Sequence, residues 1–142
     1  MTEPPWLEGI PDGVGQFVDG INSHDLAALG EAMSVGHEFV DGVGNVIRGR
    51  AATLEAWREY LAIFPDYRIE VERVYAGAAG VALFGRASGT LFYEEARRPD
   101  TGGHWSIPAA WEAEVEEGRV RVWRVYANTA PVRRLLMLEE PD

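Results

Sequence analysis

Few side chains in this sequence can move a proton, attack a carbon or hold a metal, and their spacing excludes more than it suggests. The three histidines, His24, His37 and His104, are separated by distances that match no metal-binding motif, so no metal site is expected. Cysteine and lysine are both absent, and all 13 basic residues are arginine. Without cysteine there is no disulfide, thiolate nucleophile or zinc-thiolate site. Without lysine there is no Schiff-base chemistry and no lysine-anchored pyridoxal. Ser23, Ser34, Ser88 and Ser106 stand in no nucleophile-elbow motif.

The carboxylate that draws most interest is Asp41, which ends the run His37-Glu38-Phe39-Val40 and precedes Gly42-Val43-Gly44. An aspartate there ordinarily caps a turn. At the mouth of an apolar pocket, stripped of water, the same group would be a base near neutral pH. His37 lies four residues earlier on the same strand face, roughly 13 Å away at about 3.3 Å per residue, too far to touch Asp41 through regular strand geometry. It either lines a deeper part of a pocket as donor or acid, or is an exposed histidine at the start of the strand, the more ordinary outcome. Arg86 could anchor an anionic substrate if turned inward, but the parity of Val81, Leu83 and Gly85 turns it the other way. Tyr60 and Tyr126 could offer phenols to a ligand or serve only in packing. His24 and His104 read as surface residues.

These groups must be positioned by two kinds of element. Val14, Phe17, Val18 and Ile21 share one helical face, a break follows at Asn22-Ser23, and a second helix runs from Asp25 to about Met33, with Asn22 or Ser23 as its cap. His37 to Asp41 alternates like a strand, Gly42 to Asn45 is a turn, and Val46-Ile47 returns as a short strand. Leu54, Trp57, Leu61 and Phe64 recur at three- and four-residue spacing from Arg50 onward, a long helix stopped by Pro65.

The period then changes to two. Tyr67 to Ala76, Val81 to Tyr93, Trp105 to Val115 and Arg119 to Asn128 read as long antiparallel strands. They are joined by turns at Gly77 to Gly80, Arg97 to Gly103 and Glu117-Gly118. In the third of them Ile107, Ala109, Trp111, Ala113 and Val115 form a dry face, opposite a mostly wet one of Ser106, Pro108, Ala110, Glu112 and Glu114. A short helix from Pro131 to Met137 and a solvated tail from Glu139 follow. With no crossover helix among the last strands, the fold class is α+β, with the sheet curling over the long helix. Trp57, Trp111 and Trp123 either line the resulting concave face, the usual kind of small-molecule site, or simply fill the core.

Length and charge set the broad class. The chain of 142 residues, 46% of them apolar, suits a single domain spanning 1–142 with a real core. A formal charge of -10 without long like-charge blocks would repel phosphate backbones and anionic membranes, so no nucleic acid and no membrane partner is expected. Met1 to Glu8 lacks the basic and apolar regions of a signal peptide, and no later segment approaches a membrane span, so the chain reads as cytoplasmic.

From Phe17 to Leu136 the order and spacing of several segments resemble the nuclear-transport-factor-two-like superfamily, in its SnoaL-like polyketide cyclase and ketosteroid isomerase branch. The segment from Phe17 to Leu26, and Phe39 to Gly44 after it, resemble the first helix, helix break, first strand and turn of ketosteroid isomerases. Gly49-Arg50, Gly89-Thr90, Ile107 to Trp111, Glu117 to Val120 and Arg124 to Asn128 resemble SnoaL-like proteins. The resemblance implies a cone-shaped α+β barrel, with a curved mixed or antiparallel sheet wrapped around the long helix and an apolar pocket inside.

For chemistry, the resemblance implies that Asp41 occupies the position of the general base that moves a proton beside a carbonyl. Phe17 stands where ketosteroid isomerases hold the enolate oxygen with a tyrosine, and Trp57 near their supporting tyrosine. The protonated aspartic acid of their oxyanion hole falls near Ala110 or Trp111. Losing one such donor typically costs about 100-fold to 1000-fold, so the steroid reaction is not expected. Val125 stands where epoxide hydrolases of the limonene type carry an acid, and Asn128 where SnoaL-like proteins often carry aspartate. Together these readings imply a cofactor-free lyase, isomerase or cyclase acting on a small hydrophobic carbonyl compound, or else a noncatalytic pocket or scaffold protein. Asp41 is the expected base. Phe17, His37, Trp57, Tyr60, Ile107, Trp111, Trp123 and Val125 are the expected walls. A homodimer is implied through the outer sheet face, which here carries Glu70, Glu72, Glu112 and Glu114.

Overall fold

The structure of the protein, a computed structural model, describes residues 10–91 and 103–136. The expected Arg97 to Gly103 turn up to residue 102, the strand end at residues 92–93, Met137 of the last helix and both chain ends lie outside the described residues. Two helices come first, α1 (Asp12–Ser23) and α2 (Leu26–Glu31), then strands β1 (Met33–Val40) and β2 (Val46–Arg48), and helix α3 (Arg50–Ile63). Four strands follow, β3 (Arg68–Ala76), β4 (Val81–Thr90), β5 (His104–Glu116) and β6 (Arg119–Tyr126), and then α4 (Ala130–Leu136).

α1 forms because its apolar residues recur at helical spacing, and all of Val14, Phe17, Val18 and Ile21 are buried. It ends at His24, which takes a left-handed conformation with φ 57°. Asp25, rather than Asn22 or Ser23, caps α2 by accepting a hydrogen bond from the Ala28 N–H at 3.0 Å. The sequence reading erred there because the Asn22 and Ser23 side chains are otherwise engaged. Ser23 Oγ donates back to the Asp19 carbonyl, and Asn22 reaches across to Ile69.

The six strands form one mixed sheet in the order β2-β1-β6-β5-β4-β3, with β1 and β6 parallel and every other pair antiparallel. Two irregularities bend it. In β3, Val71 pairs with Gly85 and Arg73 with Phe84, leaving Glu72 as an extra residue. In β1, Met33 pairs with Val120 but Glu38 with Val122, so five steps along β1 meet only two along β6. The strand therefore begins four residues before its expected start. Within this stretch Val35 is exposed, while His37 is buried.

α1 packs on β3, β5 and β6, while the close backbone contacts of α3 are to β1, β2 and α2. The sheet thus wraps two helices, not the long one alone. Between the inner face of α3 and the concave face of β4 to β6 a cavity remains. This is the α+β cone, with the alternating residues of β5 supplying its dry inner face.

Candidate functional site

The cavity holds about 360 Å³, within the range of small-molecule sites. Thr53, Ala56, Trp57 and Tyr60 line it from α3 because offsets of three, four and seven residues share a helix face. Trp105, Ile107, Ala109 and Trp111 line it from β5 at two-residue spacing, and Trp123 and Val125 continue the wall on β6. The Asp41 to Asn45 turn and α4 complete the lining, α4 through Val132, Arg133 and Leu136. Gly42 approaches Ala127 and Thr129 so closely that a Cβ would come within 3.1 Å of each, which draws these two segments together.

Asp41 lies in this lining, half-buried, one residue past the end of β1. It is also the turn cap. Its Oδ1 accepts from the backbone N–H groups of Val43 at 3.0 Å and Asn45 at 2.9 Å, and its Oδ2 accepts from Asn45 Nδ2 at 3.1 Å. The capping of the turn is thus seen in the geometry, and the same carboxylate belongs to the cavity lining. An ionised carboxylate has about four lone-pair sites, so Oδ2, with one donor, is the oxygen with room for a ligand proton.

Trp57, Tyr60, Ile107, Trp111, Trp123 and Val125 stand in the wall as expected, whereas Phe17 and His37 do not line the cavity. Phe17 sits behind the wall, its ring 4.5 Å from that of Trp123. His37 is fully buried, not exposed, stacked 5.5 Å from Phe17, on the parity it shares with Phe39 and Asp41 of the cavity lining. Its Nδ1 lies 2.7 Å from the Val120 carbonyl, which can only accept, so Nδ1 carries the hydrogen and Nε2 presents a lone pair with no partner among the described residues. Burial, opposed in part by that bond and by Glu38, holds the imidazole below its ordinary 6.5.

Beyond the expected walls the structure brings in Thr53, Tyr67 and Trp105. The Tyr67 ring lies 5.0 Å from Tyr60, 6.1 Å from Trp57 and 5.9 Å from Trp105. Burial pushes both phenols above the usual tyrosine range, and for Tyr67 the neighbouring Tyr60 adds to this. Each therefore stays protonated at any ordinary pH.

The backbone around Tyr67 is pinned from several sides. His24 Nε2 donates to its carbonyl at 2.7 Å, and its own N–H donates to Phe64 O at 2.9 Å. Asn22 pairs both its amide groups with Ile69, at 2.8 and 2.9 Å. Asp66 accepts from the Thr90 backbone and hydroxyl at 2.6 and 2.7 Å, and the Thr90 hydroxyl also contacts His104 Nδ1 at 3.0 Å. His24 is thus half-buried and structural, not a free surface residue.

Arg86 points outward, bonded to Ser106 on the neighbouring strand, and Tyr126 is exposed on the outer face. Among the described residues no group of three or more histidine, aspartate or glutamate side chains gathers to hold a metal ion. No described helix is long and apolar enough to cross a membrane.

Residues 14–123 match the SnoaL-like domain. The chain belongs to the SnoaL-like domain family. No curated protein matches it in sequence. Among solved structures, a candidate SnoaL-like polyketide cyclase from Jannaschia sp. superposes with a TM-score of 0.75 at 16% identity, covering 99% of each chain. A protein of ketosteroid isomerase-like fold from Catenulispora acidiphila, in complex with trimethylamine, gives 0.74 at 14% identity, covering 89% of this chain and 92% of its own. TerC, co-crystallised with polyporic acid, gives 0.72 at 14% identity, covering 88% of this chain and 95% of its own. At such identities these likenesses establish the fold.

In this SnoaL-like domain, the positions where the resemblance implies polar partners have other duties. Phe17 packs behind Trp123, Trp57 and Val125 are apolar wall, and Trp111 rather than Ala110 faces the cavity. Asn128 Oδ1 accepts from the Ala130 N–H at 3.1 Å and so starts α4. Of the wall residues that the sequence reading passed over, some carried a signal. Trp105 has the parity of Ile107 and Trp111, and Thr53 stands four residues before Trp57.

Proposed function

We propose that this SnoaL-like domain binds a small hydrophobic carbonyl compound in the cavity and that Asp41 removes a proton beside the carbonyl, as a cofactor-free lyase, isomerase or cyclase would. The observation that carries this reading is the place of Asp41. Among the described residues it is the one acidic side chain in a mostly aromatic and aliphatic lining. A proton acceptor at the edge of a dry pocket is the minimum that enolisation requires. That structural neighbours were crystallised with trimethylamine and with polyporic acid supports a small organic occupant.

The test needs no knowledge of the natural substrate. An enolisable bicyclic ketone such as 2-tetralone, incubated in heavy water, should exchange the protons beside its carbonyl faster with the protein than in buffer alone, followed by proton NMR. Asp41→Asn should bring the rate back to the buffer value. Undiminished exchange in that variant sinks the assignment of the base.

A second reading, a noncatalytic ligand carrier, is favoured by the three hydrogen bonds that Asp41 already accepts within its own turn. A ketone that binds without exchanging supports it. A homodimer through the outer sheet face also belongs to the proposal and rests on the resemblance. On that face Glu112 and Glu114 are already paired within the chain by Arg124 and Arg121. Sedimentation equilibrium decides the point, and a monomer at high micromolar concentration removes the dimer.

A further inference from the structure

One side of the cavity is a hairpin with few ties to the rest of the sheet. β2 is an edge strand, held in the sheet through β1. β1 in turn meets β6 at Met33 and again from Glu38 to Val40, opposite Val122 to Arg124, and among the described residues nothing between these stretches pairs with β6. Three register pairs thus hold the hairpin from Glu38 to Arg48 against β6. It carries Phe39, Asp41, Val43 and Ile47 of the lining, so its departure would uncover the cavity from that side. Local openings cost less than global unfolding and occur at the least tethered elements.

His37 is the bolt at the base of this hairpin. Its carbonyl accepts from the Gly49 N–H at 2.7 Å, where α3 begins, and its Nδ1–H donates to Val120 O on β6 at 2.7 Å. Its ring is fully buried and stacks 5.5 Å from Phe17 of α1. Four elements thus meet at one residue whose side chain can take up a proton. The proton must go to Nε2, and in the closed fold the new N–H would be a buried donor with no acceptor among the described residues. A buried charge whose donor lacks a partner is costly.

The surrounding groups do not relieve that cost. On β1, Glu38 favours the proton, but its carboxylate is paired with Arg48 of β2 at 3.3 Å. At the start of α3, Arg50 reaches Met33 O at 3.5 Å. On β6, Arg119 donates to Glu31 O at 3.0 Å and Arg121 pairs with Glu114. Asp12 and Asp19 of α1 and Glu31 of α2 are exposed, and the buried hydroxyls of Ser34 and Thr53 make no bond to the ring. The bond to Val120 O is stronger for an imidazolium, yet desolvation outweighs it and Glu38 together.

We propose that the hairpin from Glu38 to Arg48 is a gate on the cavity, and that proton uptake by His37 releases it from β6 and α3. In the open form the imidazole is hydrated and titrates near its ordinary 6.5, so the open form binds the proton first and acidification raises its population. One unit below 6.5 the increase is at most about tenfold. The inference concerns the regulation of the site proposed above and rests on the reading that the cavity admits a ligand. Its test uses no ligand, so a ketone that fails to bind or to exchange protons is a separate result.

Amide and indole hydrogen exchange, followed by NMR at pH 7.5 and 5.5 and corrected for intrinsic rates, reads the gate directly. In the wild type, the Gly49 amide and the β1–β6 ladder from Glu38 to Val40 should lose up to about tenfold in protection at the lower pH. The β4–β5 ladder should change by less than about twofold. The Trp57 indole N–H, buried with its ring 5.8 Å from that of Phe39, should follow the hairpin, whereas the buried Trp105 indole at the start of β5 should not. His37→Gln should give the hairpin the same protection at both pH values, and Glu38→Gln should keep the response.

A loss of protection shared by all strands would mean that acid unfolds the whole chain, and it overturns the gate. Unchanged protection in the hairpin overturns it as well. A response that survives His37→Gln overturns the role of His37. If that variant folds poorly, the contrast in the wild type between Gly49 with Trp57 and the β4–β5 ladder with Trp105 decides whether the opening is local, and an NMR titration of the His37 ring decides whether it follows that proton.

Discussion

The Nε2–H of His24 donates to the carbonyl of Tyr67 at 2.7 Å, joining the break between α1 and α2 to the residue that opens β3. His24 caps the end of α1 in a left-handed conformation, its N–H bonded back to Ile21 O, and from there its side chain makes a contact 43 residues away. Removing the bond leaves a half-buried carbonyl unpaired, at a cost of about 1 kcal/mol. His24→Ala should lower the urea midpoint accordingly and also weaken 2-tetralone binding, although His24 does not line the cavity. Weakened stability with unchanged binding would mean that the clamp does not position Tyr67.

His37 makes stability depend on pH. Burial keeps its folded-state value below 6.5, so the unfolded chain takes up the proton first as pH falls. Between 6.5 and the lower folded value the unfolded state binds more protons, and stability declines with acidification. Above 6.5 this contribution is complete. Melting temperatures measured from pH 8 to pH 5 should fall through this window, and His37→Gln, neutral throughout and able to donate to Val120 O, should flatten the decline. An unchanged slope in the variant would show that other groups set it.

The burial of His37 also shows how far the sequence could be read. The helix faces of α1 and α3 and the alternation of β5 were legible because each is a single period sustained over several residues, and from them follow the cone and most of its wall. The β1 bulge was not legible. Three extra residues between Met33 and Glu38 leave no mark in a short apolar run, yet they decide that Val35, which has the parity of the buried Met33 and His37, faces solvent. Tyr67 was missed for a different reason. It stands at a boundary, two residues after Pro65, where neither the helix period nor the strand period assigns a side. Its direction is set by His24, Asn22 and Asp66, which are distant in sequence or polar, and hydropathy does not register such contacts.

The two roles of Asp41 can be separated by the choice of substituent. Asparagine keeps an oxygen for the Val43 and Asn45 N–H groups, while alanine keeps none. Asp41→Asn should unfold within about 0.5 kcal/mol of the wild type, and Asp41→Ala should lose about 1 kcal/mol or more, measured by urea denaturation. If the two variants lose proton exchange alike but differ in stability, capping and base are independent duties of one carboxylate. If Asp41→Asn is as unstable as Asp41→Ala, the turn requires the charge, and loss of exchange in that variant would have to be corrected for unfolding.

The curvature that opens the cavity depends on Gly85. Where β3 bulges at Glu72, the backbone of β4 comes so near that a Cβ on Gly85 would lie 1.8 Å from the Glu70 carbonyl oxygen and 2.9 Å from its carbon. No side-chain rotation relieves a clash with backbone, so Gly85→Ala must push β3 away from β4, at about 1–3 kcal/mol. Gly36 in the β1 bulge is the control, since a Cβ there meets nothing within 4 Å and Gly36→Ala should stay within about 0.5 kcal/mol of the wild type. Because β4 contributes Ala87 to the cavity and pairs with β5 along its whole length, the shift should reach the pocket and lower 2-tetralone affinity as well. A Gly85→Ala protein as stable as the control, with unchanged binding, would mean that the bulge tolerates a side chain and that the bend of the sheet is set elsewhere.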